Sequence, residues 1–252
     1  MSHARIRMVR PAAVAVAAAV ATGAALGTMA GLAGAATPSG STGAGAVPAT
    51  LAGIQAKAKT DITNRVDDLN KAIAKVNAAK SLGSGQATLA SYLGTDIAPL
   101  QQLEQTIQGD TTVQQAAHDF ATIFTSYRVY KLVLPAARID GAATFATTTG
   151  IPKLTADAAK AQSKVTPANQ ATLQPLIDDL NTQISTATNA SNGLAGTVLA
   201  FTPAQWNANN ALLDASKSSA QATVAALKKG RSDLKQMVQD LKGAQAEPTT
   251  TG

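Results

Sequence analysis

From residue 51 to residue 243 apolar residues recur three or four positions apart, with polar residues filling the intervals. Ile62, Val66, Leu69, Ile73 and Val76 form one such series, while Asp67, Asp68, Lys71 and Lys75 fall on the other side. A helix advances about 100° per residue, so this spacing gathers the apolar side chains on one face and predicts an amphipathic helix. Gly83-Ser84-Gly85 should stop it near Leu82. A second helix is predicted over 87–108, with Leu89, Leu93, Ile97, Leu100, Leu103 and Ile107 on its apolar face. Gly94 and Pro99 should kink that helix, because proline lacks the amide donor and crowds the preceding turn. Gly109 should then close it and Asp110 should cap the next. The third helix carries Val113, Ala117, Phe120, Phe124, Tyr127 and Leu134, and Pro135 should bend or interrupt it.

Helical spacing resumes from Ile151 in a helix led by Pro152, and Thr166-Pro167 should mark a break, as a cap followed by a first helical residue. Leu173, Ile177, Leu180, Ile184, Leu194 and Val198 continue the pattern. Thr202-Pro203-Ala204-Gln205 reads as a capping box with proline at the first helical position. Downstream, Trp206, Leu213, Ala220, Leu227, Leu234 and Leu241 recur every seven residues. The companion series Asn210, Lys217, Val224, Arg231 and Val238 is largely polar, which disfavours a two-stranded zipper and favours a bundle helix with one narrow seam. The same heptads could pack within the chain or between copies of it. The pattern as a whole predicts an all-α fold, an elongated antiparallel bundle of four or five long helices with proline-induced kinks.

The N-terminus has a different pattern. Arg5, Arg7 and Arg10 precede an uncharged Ala-, Val- and Gly-rich run from Pro11 to Ala36. A basic head, an apolar run and a small-residue exit are the plan of a secretory signal peptide. Cleavage is expected after Ala36, with Ala35 as the alternative. An uncleaved anchor is the competing reading, because the run exceeds the ~20 residues that cross a bilayer as a helix. Its Ala and Gly content weakens insertion and favours cleavage. Residues 37–50, small and uncharged with Pro38 and Pro48, read as a flexible linker. Residues 51–243 then form a single helical-bundle domain and 244–252 a disordered tail.

Composition sharpens this. The chain has 21 Lys+Arg against 15 Asp+Glu, a net charge of +6, and three of those cations lie in the signal, leaving +3. That small excess argues against a nucleic-acid partner, which would call for a strongly basic stripe or stacking aromatics. The chain has no cysteine, so an exported form must be stable without disulfides. Only 3% of residues are aromatic, and the wealth of Ala, Leu, Gln and Lys favours helix over sheet.

Candidate chemistry is sparse. His118 is the one histidine beyond the signal, with Gln114, Gln115 and Thr122 as its neighbours at helical spacing. A metal or a catalytic base needs convergent partners that this helix does not offer, so no metal, cofactor or catalytic residue is assigned. Adjacent acids at Asp67-Asp68 and Asp178-Asp179 diverge around a helix and read as solvated faces. Tyr and Arg dominate binding hot spots, which makes Tyr127, Arg128, Tyr130, Lys131 and Arg138 the candidate binding surface. The competing reading puts Phe120, Phe124 and Tyr127 in a core stripe with the cations as its solvated flank. Trp206, first of the seven-residue series, should close one end of the bundle.

The stretches GTDIAPLQQLEQTIQGDTT, YRVYKLVLPAA and FTPAQWNANNALL resemble those of alanine-rich secreted helical proteins of actinobacterial type, a likeness that would cover residues 55–242. The resemblance implies export and a helical fold, and it brings no activity and no functional residues. The sequence therefore leads to an exported, non-enzymatic helical protein of the extracellular space or cell envelope, acting on an envelope or extracellular partner or by homo-oligomerisation. The alternative is a membrane-active amphipathic protein.

Overall fold

The computed structural model describes Pro48 and residues 50–246. The expected signal peptide with Ala35 and Ala36, most of the linker and the last residues of the tail lie outside the described residues. All regular structure among the described residues is helical, in agreement with the expected all-α class. The helices are α1 (Leu51–Ala78), α2 (Gly85–Gly94), α3 (Ile97–Gly109), α4 (Val113–Thr122), α5 (Leu134–Phe145), α6 (Ile151–Gln162), α7 (Gln170–Ser191), α8 (Pro203–Ala208) and α9 (Asp214–Ala246).

α1 starts at Thr50, whose hydroxyl accepts from the Gly53 amide at 3.2 Å and so satisfies one of the free donors of the first turn. Ile54, Ala58, Ile62, Val66, Leu69 and Val76 are buried along one face. A 3₁₀ turn over Lys80–Leu82 follows, and Gly83 takes a positive φ of 53° and ends the run. The single helix predicted over 87–108 is two helices. Pro99 falls in the first turn of α3, where its missing amide leaves no helical carbonyl unpaired, and the chain breaks ahead of it at Thr95-Asp96.

Asp110 does not cap α4. Thr112 does, accepting from the Gln115 amide at 3.3 Å, while Asp110 terminates α3 with a buried carboxylate. From Val113 the chain stays almost continuously helical to Gln162, but it widens into π-turns at Ile123–Tyr127, Val129–Val133 and Ala146–Gly150. Pro135 and Pro152 each come two positions after the last residue of a π-turn and stand in the first turn of α5 and α6. Wider turns carry each proline ring past the carbonyl it would strike in a regular helix, so neither proline stops the chain.

The break around Thr166-Pro167 is present, yet α7 begins only at Gln170, because Asn169 Oδ1 ties back to the Thr166 amide at 2.7 Å. α7 ends at Ser191, so Leu194 and Val198 are not on it. They belong to the connection that carries the chain to α9. The capping box at Thr202 and Gln205 forms as expected. Its helix is short: the Asn209 side chain accepts from the Ala211 amide at 3.0 Å, a local turn that competes with the helical ladder. Trp206 is consequently on α8 and separated from the other members of its seven-residue series.

Two apolar clusters hold these elements together. The larger joins α1 through α7 with Ala226, Leu227 and Met237 of α9. The smaller unites Leu132, Ala136, Ile139 and Ala143 with Leu194, Val198, Leu213 and Ala220, and Phe201 and Trp206 pack on it. On α9 the innermost residues are Thr223, Ala226, Leu227, Gly230, Asp233 and Met237, whereas Leu234 and Leu241 are half-buried. The C-terminal leucines of the heptad, Leu234 and Leu241, are thus the shoulder of the seam, while Leu227 lies in it beside the small Thr223, Ala226 and Gly230.

Candidate functional site

The segment around Arg128 departs furthest from regular helix. Arg128 adopts φ 47° and ψ 34° between two π-turns, and it is the one non-glycine residue with positive φ among the described residues. A left-handed conformation at a residue with a Cβ costs roughly 1 kcal/mol. The side chain supplies compensation: its guanidinium lies 4.6 Å from the centre of the Trp206 ring, and Nε donates to Asn207 Oδ1 at 2.7 Å. Asn207 in turn donates to the Thr125 carbonyl at 2.9 Å. α8, which buries no residue of its own, is fastened by this clasp to the first π-turn.

Tyr130 faces the opposite way, onto α1. Its hydroxyl donates to Asp68 Oδ2 at 3.0 Å, and its ring lies 5.0 Å from the Arg65 guanidinium carbon. Arg65 is also 4.8 Å from the Phe124 ring, and Phe124 meets Phe120 edge-on at 5.3 Å. Arg65 is only 6% exposed and donates to the Asp61 carbonyl at 2.7 Å. Burial lowers its pKa from the ordinary arginine value, an effect opposed by the nearby Asp61 carboxylate. For Tyr130, burial and then the hydrogen bond to Asp68 push the phenol up to about 12.

The five candidate surface residues therefore have separate environments. Tyr130 is engaged with Arg65 and Asp68; Arg128 is engaged with Trp206 and Asn207. Tyr127 is half-buried against the main core, and its pKa is raised by burial and then by Asp96. Lys131 is exposed, and Arg138 is half-buried on α5. Phe120, Phe124 and Tyr127 pack with the core, as the stripe reading has it. Arg65 was missed in the sequence although a signal existed: it lies three residues after Ile62 and four before Leu69, on the apolar seam itself.

A second group of ionisable residues lies where α2, α3 and α5 meet the connection to α9. Asp140 is 4% exposed; its Oδ1 accepts from the Gly196 amide at 2.6 Å and its Oδ2 from the Thr144 hydroxyl at 3.4 Å. Burial raises its pKa, and the two hydrogen bonds partly oppose that. Tyr92 is pushed up to about 12 by burial, then by Asp96 and Asp140. This group anchors the Gly196 turn, whose φ of 80° suits glycine.

His118 is exposed on α4, as are Gln114 and Gln115. Among the described residues, no group of three or more His, Cys, Asp or Glu side chains could hold a metal ion. Asp67 and Asp178 are exposed, whereas their neighbours are used structurally: Asp68 accepts from Tyr130, and Asp179 pairs with Lys229. Both clusters are thus suited to fixing elements against one another, by aromatic stacking on cations and by buried acceptors. No family model, no curated protein and no solved structure matches the chain.

Proposed function

We propose that this chain is an exported, non-enzymatic helical-bundle protein of the extracellular space or cell envelope that acts by binding a partner. The observation that carries the reading is the order of residues 1–36, a basic head, an uncharged run and an Ala-rich exit. Support for binding over catalysis comes from the use made of its reactive side chains: the buried Asp, Arg and Tyr groups described above are spent on joining helices. Support for a hetero-partner over heptad-driven self-association comes from α9, whose buried seam already faces α7 and the rest of the core.

The membrane-active alternative finds less support. Val113, 43% exposed, is the only large apolar side chain exposed among the described residues, and no described helix is long and apolar enough to cross a membrane. Expression of the full chain in a secreting bacterium, followed by fractionation and mass analysis of the N-terminus, tests export. A product outside the cytoplasm beginning at Thr37 is expected; a cytoplasmic chain retaining Arg5, Arg7 and Arg10 would defeat the proposal. Light scattering should give a monomer at all concentrations.

A further inference from the structure

The net charge of the chain conceals a one-sided distribution on α9. At 100° per residue, Lys217, Lys228, Arg231, Lys235 and Lys242 all fall within an arc of about 60°. The centre of this arc is about 130° around the helix from the buried line of Thr223, Gly230 and Met237. The four lysines are exposed and Arg231 is half-buried. From Lys217 to Lys242 the stripe runs about 37 Å at 1.5 Å per residue.

The stripe gathers five cations on one face and includes no carboxylate. Four lysines elsewhere are matched within their own helix: Lys57 to Asp61 at 3.1 Å, Lys71 to Asp68 at 3.2 Å, and Lys153 and Lys160 to Asp157 at 3.9 and 3.5 Å. On α9, Asp233 faces away and is held by Lys229, Asp240 accepts from Gln236, and Asp214 stands in the first turn beside the N-terminal end of the stripe. None of the five cations forms an ion pair with a described residue. Arg231 is partly desolvated as well, and burial alone lowers its pKa. The helix dipole favours cations only in the last turn, which holds no basic residue here, so it accounts for none of the five.

We infer that this face of α9 is a docking surface for an extended polyanion, a linear polyphosphate lying along the helix. Lys228, Lys235 and Lys242 are about 10 Å apart, with Arg231 between the first two, so a flexible polymer can present a phosphate to each in turn. A partly desolvated guanidinium without a carboxylate gains most from such an anion, because its water has already been reduced. This gives a partner class to the binding protein proposed above and rests on that reading only for the compartment.

The test uses the purified chain and long-chain linear inorganic polyphosphate. Five neutralised phosphates on a single-stranded polymer give a slope of log affinity against log salt of about −3.5, or roughly 100-fold weaker binding between about 50 mM and about 200 mM salt. Lys228→Glu/Lys235→Glu/Lys242→Glu should lose more than tenfold in affinity, while Lys59→Glu/Lys75→Glu on α1 should bind as the parent does. The milder Lys→Gln triple at the same three positions serves if the charge reversal perturbs the helical circular dichroism. Failure of the parent to bind at low salt would overturn the inference, and so would undiminished binding by the triple variants. Binding to phosphatidylglycerol vesicles without binding to polyphosphate would also overturn it, in favour of a lipid surface. Export is read independently from the N-terminus, so either result stands without the other.

Discussion

Gly230 of α9 lies so close to Leu180 of α7 that a Cβ built on it would come within 3.0 Å of Leu180 Cδ1, with Leu154 Cδ1 of α6 at 3.2 Å. Three helices converge on a position where hydrogen is the only side chain that fits without displacement. Gly230→Leu should therefore destabilise the protein by about 1–3 kcal/mol through overpacking. It should do so although leucine is the better helix former by several tenths of a kcal/mol. Urea unfolding followed by circular dichroism measures this; a midpoint equal to or above the parent's would show that the three helices do not meet as described.

Arg128 should behave as a clasp residue with a small effect on global stability. Arg128→Gly removes the left-handed strain, worth roughly 1 kcal/mol. It also removes the guanidinium–indole contact and the bond to Asn207, which together are worth a similar amount. The unfolding free energy should change by less than about 1 kcal/mol. Trp206 is the only tryptophan in the chain, so its fluorescence reports α8 alone. Red-shifted emission and stronger iodide quenching in the variant are expected, and an unchanged spectrum would count against the clasp.

All three tyrosines of the chain should resist ionisation. Tyr92 and Tyr130 are pushed up to about 12, and Tyr127 is raised as well, in each case by burial first. A raised phenol pKa means that the folded state favours the protonated form. The corresponding stability is complete below the unfolded value of about 10 and is lost as pH rises through about 12. Absorbance at the tyrosinate band should show no step near pH 10 in the native protein and should rise together with unfolding at higher pH. Tyr130→Phe should lose about 1 kcal/mol with its bond to Asp68.

Asp140 gives the acid side. Asp140→Ala leaves the Gly196 amide without its acceptor and should cost about 1–3 kcal/mol, whereas Asp140→Asn keeps an acceptor oxygen and should cost less. The folded pKa values of Asp96, Asp110 and Asp140 are raised, mainly by burial. Their protonated forms are the ones the fold prefers, so stability should increase as pH falls from neutrality toward the ordinary carboxylate range. Asp179 acts oppositely, since Lys229 holds its pKa below the ordinary value, and its contribution is lost only below that range. Calorimetry between neutral pH and the ordinary carboxylate range should find a rising midpoint; a falling one would contradict the burial of these acids.

Hydrophobic period and breaker residues carried much of the fold in readable form. Ile62 to Val76 and Leu173 to Ile184 each fall on one helix as the period predicts, Leu89 to Ile107 fall on two helices rather than a single kinked one, and the capping box at Thr202 forms. Errors arose where a tertiary or local contact outweighed the period. Trp206 and Leu213 share a spacing of seven with Leu227, but the Asn209 side chain turns the chain between them. Asp110 has the composition of a cap, but Thr112 takes the position because it directly precedes Val113 and its hydroxyl reaches the Gln115 amide, whereas Asp110 ends α3. Arg65 puts a charge on the apolar seam, where two aromatic rings hold its guanidinium inside.

What the sequence determined by itself is the helical class, some of the places where helices begin and stop, such as Gly83 and the capping box at Thr202, and the leader-like pattern of residues 1–36. These depend on neighbours a few positions away, through turn geometry, capping and the apolar period. Tertiary structure alone decided which helices meet and hence which residues are central. It made Gly230 rather than Leu234 the centre of the α9 seam and divided Arg128 from Tyr130. It also left the five cations of α9 on an open face, because burial and charge pairing depend on elements distant in the chain, which no local pattern records.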